Sequence, residues 1–283
     1  MLKLAQYGFL TLAQNTTDVD YLRLAYVQAM SIKLTMPDSR YAVVVDSATL
    51  ALVTEQQRKV FDHIIELPVD YAVNDTWKLA NEWQVFALTP FKETIKVEAD
   101  LLFTRSITHW LTAFRLRDVV LSLGCRDYQG NKGTSRRYRQ VFDDNNLPDV
   151  YNGLMYFRYS QTAHNFFTMA KLVYEHWEYI RDNVLKNCRD EKPTTDLVYA
   201  IVASNLGLES CSLPDCDFIN FTHMKNSINN WPEAAPWPEM VVSEFELPMI
   251  RINNVNQYYP LHYQDKTWIT DEVVSRFEHE YHR

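Results

Sequence analysis

Two carboxylates one residue apart, Glu98 and Asp100, follow the run Ile95-Lys96-Val97 and precede Leu101-Leu102-Phe103. Side chains at i and i+2 of a strand point to the same side. The spacing therefore presents two hard oxygen ligands, as Mg²⁺ or Mn²⁺ bridging two phosphates requires. Acid-x-acid also arises by chance, so the pair acquires meaning only from what surrounds it. A second cluster carries the opposite charge. Between positions 126 and 139 stand Arg126, Lys132, Arg136, Arg137 and Arg139 against Asp127 alone, interleaved with Tyr128 and Tyr138. Such a loop suits phosphates and exposed bases. The 283-residue chain as a whole is acidic, with 36 Asp and Glu against 28 Lys and Arg, a net charge of −8. That balance excludes indiscriminate adherence to nucleic acid. Only 6 glycines are present, with no glycine-rich phosphate cradle. Cys125, Cys188, Cys211 and Cys216 form no C-x-x-C pair and no disulfide framework, which fits a reducing cytoplasm. His109, His164 and His176 lack a carboxylate or cysteine at metal spacing and read as surface or packing residues.

The elements that must position these groups alternate. Gly8–Ala13 reads as a strand, residues 20–33 as a helix with apolar positions at helical spacing, and Tyr41–Asp46 as a β-branched strand buried on both faces. A helix over 48–60, a strand at 64–67 and a helix over 77–88 lead to the carboxylate strand. This alternation implies a parallel sheet with right-handed crossovers. Ligands of such sheets bind outside the carboxyl ends of the strands, where Thr11, Asp46 and Glu98-Ala99-Asp100 fall together. Further on come a helix at 108–117, strands at 118–123 and 151–157, and helices at 161–185 and 195–206. A last core strand spans 217–223. Beyond Trp231 five prolines mark a loop-rich region that ends in a helix over 271–281. No run approaches the roughly 18 apolar residues of a membrane span.

On these residues the chain resembles the nucleotide-sugar glycosyltransferases of the GT-A fold, nearest to the glycogenin-like family, over about residues 7–231. Glu98-Ala99-Asp100 is similar to the family's D-x-D, with Glu98 in place of its first aspartate. Trp77-Lys78-Leu79 lies where the family carries a lysine, and Tyr151-Asn152-Gly153-Leu154 is similar to N-S-G-V without the serine. Thr195-Asp196 stands at the D-Q pair without the glutamine. Asn220 to Lys225, containing His223, looks like a shortened form of the late H-x-x-x-K motif.

The resemblance implies an α/β protein of GT-A type: a Rossmann-like, mixed, mostly parallel sheet flanked by helices. The domain would span 1–231, with 232–283 as a loop-rich extension carrying the terminal helix. It implies a sugar moved from a UDP-sugar under Mn²⁺ or Mg²⁺, since a divalent ion offsets the charge growing on the departing diphosphate. Asp100 and His223 would hold the ion, joined by Glu98. Thr11, Leu12 and Ala13 would hold the base through backbone contacts, Tyr21 would stack on it, and Ala99 and Lys225 would border the donor. Asp196, Asn152 and Lys78 would face the transferred sugar and phosphates. The basic loop (Arg126, Lys132, Arg136, Arg137, Arg139) would clamp the acceptor. A likeness to glycosyltransferases of large T-even-type phages makes hydroxymethylated cytosine in duplex DNA the expected acceptor, in the host cytoplasm and away from membranes. Two alternatives keep the fold: an enzyme acting on protein, lipid or polysaccharide, and a non-catalytic module binding nucleotide sugars or nucleic acid.

Overall fold

Consecutive buried residues such as Phe9 and Leu10, or Val43 and Val44, must enter different layers, because side chains alternate along a strand. The computed structural model shows both layers; it describes residues 5–73, 75–133, 139–207, 210–213, 219–233 and 235–283. Strands β1 (Ala5–Leu12), β2 (Tyr41–Val45), β3 (His63–Glu66), β4 (Phe91–Val97), β6 (Val119–Leu123) and β9 (Val150–Arg158) form a six-stranded sheet in the order β3-β2-β1-β4-β9-β6. Pairing is parallel from β3 through β4, while β9 runs antiparallel to both β4 and β6. The sheet is thus mixed and mostly parallel, as expected.

One face packs on the Tyr21–Thr35 helix and the terminal Asp271–His282 helix, burying Phe9, Val43, Val45, Ile95 and Val97. The opposite face buries Leu10, Val44, Met155 and Phe157 against the Gln161–Glu175 and Thr195–Leu206 helices.

Several expected helices are shorter, each for a local reason. The 48–60 segment is two helices, Ser47–Leu50 and Glu55–Val60, because Asp46 and Thr54 each cap a separate start. The 77–88 segment opens as a 3₁₀ helix, Lys78–Gln84, before a single α turn, Val85–Leu88. The long 161–185 helix breaks at His176. Of the strand expected over 217–223, the structure shows β10 (Thr222–His223); its start lies outside the described residues.

A second sheet is assembled across the chain. β5 (Leu101–Leu102), β7 (Cys125–Arg126), β8 (Lys132–Gly133), β10 and β14 (Leu261–His262) lie in the order β5-β14-β10-β7-β8. β14 pairs antiparallel with β5 and parallel with β10. Residues 232–283 therefore supply an internal strand of this sheet, and Trp237, Tyr263, Trp268 and Phe277 share its core. The same stretch carries a small antiparallel sheet, β11 (Ser243–Glu246), β12 (Met249–Ile252) and β13 (Val255–Asn256).

Candidate active site

Glu98 and Asp100 do not continue a strand. β4 ends at Val97, and the carboxylates occupy the turn between β4 and β5. A turn needs its polar backbone satisfied, and Gln28 does this from within the Tyr21–Thr35 helix. Its Nε2 donates to the carbonyls of Glu98 (2.5 Å) and Leu101 (2.7 Å). Its Oε1 accepts from Thr11 Oγ1 (2.5 Å) and Tyr41 OH (2.8 Å). Two neighbouring strands hold the rest of the turn: Glu98 N–H donates to Gly153 O (3.1 Å) and Tyr263 N–H to Asp100 O (3.1 Å).

The β10–β14–β5 pairing decides which histidine meets the carboxylates. His262 lies opposite Leu101 in register, next to Asp100. Its Nε2 is 3.2 Å from Glu98 Oε2 and 3.1 Å from Asp100 Oδ1. Ligand atoms of Glu98, Asp100 and His262 all lie within 4.8 Å of one another. His223, expected in this role, is the parallel partner of His262 and stacks on it, ring centroids 4.5 Å apart and 8° from coplanar. The structure thus brings His262, rather than His223, to the two acids. Phe221 supports both rings, at 5.9 Å from His223 and 5.7 Å from His262. It approaches β9 so closely that a Cβ at Gly153 would sit 2.9 Å from its ring, which is why glycine follows Asn152.

A fourth group completes the cluster. Lys266 Nζ pairs with Asp100 Oδ2. Burial alone would raise the Asp100 carboxyl, but His262 and Lys266 outweigh it and hold it well below the usual carboxylate range. Burial disfavours the imidazolium of His262, yet Asp100 and Glu98 raise its pKa overall. Burial, together with His262 and Lys225, pushes His223 well down, leaving it neutral. Two carboxylates with His262 and Lys266 drawn against them form a site that attracts positive charge. Two hard oxygens and an imidazole nitrogen suit Mn²⁺ or Mg²⁺, so the residues present fit the ion. Sequence reading missed His262 and Lys266 because they lie just past the last proline of a segment read as loops. A signal existed: His262-Tyr263-Gln264-Asp265-Lys266 is H-x-x-x-K at full spacing, whereas 220–225 is shortened.

Two cavities border this cluster, and a third adjoins the second of them. A cleft of about 290 Å³ is lined by Leu12, Gln14, Tyr21, Lys78, Glu82, Ala99, Lys266 and both acids, among others. A pocket of about 150 Å³ shares Glu98 and Leu79 with it and is walled by Asn152, Asp196, His223, Lys225 and His262. A groove of about 420 Å³ shares Lys225 and Gln264 with the pocket and adds Asn226, Ser227, Glu233, Trp237 and Asp265. Neighbouring cavities thus share wall residues, Leu79 and Glu98 between cleft and pocket, Lys225 and Gln264 between pocket and groove.

The remaining expected residues separate into those on these walls and those behind them. Leu12, Tyr21, Lys78 and Ala99 line the cleft. Lys78 Nζ also donates to Ala72 O (2.7 Å). Thr11 is fully buried and serves Gln28, and Ala13 is fully buried with its N–H on Val44 O. Neither stands on the cleft wall; Gln14, which was not expected, does.

Asn152 and Asp196 meet in the pocket. Asn152 N–H donates to Asp196 Oδ1 (2.7 Å), and Asn152 Nδ2 donates to Glu98 Oε1 (3.3 Å). Burial raises the Asp196 carboxyl; Arg139 opposes this and Glu98 adds to it, so the net shift is upward. Arg139 is the clearest departure from expectation. Only 2% exposed, it bridges Asp149 (2.6 Å) and Asp196 (3.1 Å) and lies between the rings of Phe142 and Tyr151. A guanidinium engaged in this way holds Asp196 and has no open face for an acceptor phosphate. Arg126 donates to Gly130 O (2.7 Å) over the Tyr259 ring, and Lys132 is exposed on β8. Arg136 and Arg137 lie outside the described residues. No described helix is long and apolar enough to cross a membrane.

No protein-family model matches the chain, and no curated protein matches it in sequence. Solved structures do. The galactosyltransferase LgtC, in complex with donor and acceptor sugar analogs, superposes with a TM-score of 0.56 at 16% identity, over 97% of this chain and 95% of that one. An active-site mutant of LgtC gives 0.53 at 14% identity, over 96% and 94%. The fold is that of the GT-A glycosyltransferases; identity this low carries the fold and no more.

Proposed function

We propose that the chain is a metal-dependent glycosyltransferase of glycogenin-like type that moves a sugar from a UDP-sugar to an acceptor hydroxyl. The observation that carries this reading is the convergence of Glu98, Asp100 and His262 at the junction of two cavities. Glu98, Asp100 and His262 would hold the divalent ion, which supplies charge to offset the departing diphosphate. The cleft takes the nucleotide: Leu12 and Tyr21 offer apolar surface, and Lys78 and Lys266 offer cations. Asp196 faces the transferred sugar from the pocket. Asn152 ties Asp196 to the metal group, with its backbone on one carboxylate and its side chain on the other.

The acceptor enters from the groove, whose lining favours a neutral saccharide. Glu233 and Asp265 outnumber Lys225 there, and amide and hydroxyl side chains sit beside Trp237. LgtC, of like fold, was solved with an acceptor sugar analog. A second reading keeps duplex DNA bearing hydroxymethylated cytosine as acceptor. Exposed Lys132 on the β7–β8 hairpin favours it, and the burial of Arg139 weakens it.

Both readings are tested by incubating the protein with a panel of UDP-sugars, Mn²⁺, and either oligosaccharides or hydroxymethylated DNA. Transfer, or slow donor hydrolysis, that stops with chelator supports the enzyme. Neither under any combination, with UDP still bound without metal, would return the chain to a non-catalytic binding module. Neutralising Arg126 and Lys132 should flatten the salt dependence of DNA binding only if DNA is the acceptor.

A further inference from the structure

Beneath the cleft, the central strand β4 carries a charge that neither the metal group nor the pocket uses. Lys96 is fully buried, and its ammonium lies 2.6 Å from Glu82 Oε2. Neither of those two atoms has another partner among the described residues. Taking such a pair out of water is costly, and apolar residues of similar volume are often as stable in its place. Packing alone does not account for it.

The local geometry indicates what the carboxylate is for. Lys78–Gln84 is a 3₁₀ helix, in which residues three apart eclipse one another, so Leu79 and Glu82 share a face. Leu79 lines both the cleft and the 150 Å³ pocket, and Glu82 lines the cleft. Glu82 therefore stands on the cleft wall on the same face as Leu79, which also walls the pocket of Asp196 and Asn152. Lys96 lies behind it, outside the cavity lining. Among the described residues no hydrogen bond reaches Glu82 Oε1. An ionised carboxylate only accepts hydrogen bonds, so whatever it meets in the cleft must donate.

We infer that Glu82 reads the donor's sugar and that Lys96 positions it, selecting a neutral sugar with free hydroxyls over a sugar acid. This rests on the nucleotide-sugar reading above. Hydroxyls donate to the carboxylate, whereas a uronate brings a like charge against it. The base and diphosphate are held by other residues of the cleft wall, Leu12, Tyr21, Lys78 and Lys266, and do not depend on Glu82.

The test measures affinities of the full chain with Mn²⁺ for UDP, UDP-glucose, UDP-galactose, UDP-xylose and UDP-glucuronate by calorimetry. Wild type should bind its preferred neutral donor about tenfold or more tighter than UDP-glucuronate, a hydrogen bond to a charged group being worth that ratio. Glu82→Gln should reduce the ratio about tenfold while UDP affinity holds within about twofold. Because that change strands Lys96, a Glu82→Leu/Lys96→Met double variant removes both charges together, and it should show the same collapse with UDP binding intact. A double variant that keeps the wild-type ratio, or that loses UDP along with every sugar, overturns the inference. So does a wild type that binds neutral and acidic donors alike. A wild type that binds neither UDP nor any UDP-sugar instead removes the glycosyltransferase reading itself.

Discussion

At the scale of single residues, charge decides the site. Asp100 is engaged on both sides, with His262 and Lys266 against its two oxygens. Asp100→Ala should abolish Mn²⁺-dependent turnover. His262→Ala should weaken Mn²⁺ binding about 100-fold, whereas His223→Ala, which removes a stacked neighbour, should cost about tenfold or less. Metal titration of the three variants measures this, and equal losses at both histidines would refute the assignment.

The same groups set a pH response. Without a divalent ion, the raised His262 pKa contributes stability fully below its ordinary value of about 6.5, and this is lost as pH rises through the folded value. The depressed Asp100 pKa contributes above about 3.9, and this is lost as pH falls through its folded value. In chelator, urea unfolding should therefore show stability falling from pH 6 to 8.5, and His262→Gln should flatten that slope. An unchanged slope in the variant would place the titration elsewhere. Mn²⁺ affinity should move the opposite way and rise with pH, since the ion displaces the His262 proton.

At the scale of elements, one glutamine in a helix determines where a strand turn sits. Gln28 bridges β1, β2 and the carboxylate turn through four hydrogen bonds. Gln28→Leu leaves two carbonyls and two hydroxyls buried without their partner. The loss should be about 3 kcal/mol or more, read by denaturant unfolding, with Mn²⁺ affinity falling as well because the turn loosens. Gln28→Glu, of similar shape, keeps the acceptor but loses both donated bonds, so it should also be destabilising. Its sequence surroundings mark Gln28 as an ordinary helix residue, since only packing shows which carbonyls it faces.

At the scale of the whole molecule, the chain closes on itself through its last fifty residues. β14 lies between β5 and β10, and the Asp271–His282 helix packs against the Tyr21–Thr35 helix across from β1. Truncation after Trp231 should not leave a working domain. It removes His262 and Lys266, opens β5 and β10 to solvent, and uncovers the core that Tyr263, Trp268 and Phe277 cover. Near-UV circular dichroism and soluble yield should both collapse, while a truncated form that stayed folded would show 232–283 to be a true appendage. Loops between prolines and loops around a two-residue strand look alike in a sequence, because so short a strand is defined by its neighbours rather than by its own propensity.

Periodicity in the sequence was enough to establish the alternation of strands and helices, a parallel sheet and the position of Glu98-Ala99-Asp100 at its carboxyl edge, because hydrophobic spacing along the chain is a local quantity; that the sheet is mixed was implied by the resemblance alone. Asp196 and Asn152 were singled out by the resemblance, and the structure brings them together in one pocket. The tertiary structure alone decided that His262 and not His223 meets the acids, and that Arg139 serves Asp196 rather than solvent. It alone paired Lys96 with Glu82. Each of those choices depends on sheet register between segments far apart in the chain or on the absence of water around a charge, and neither is written in the spacing of residues along one strand.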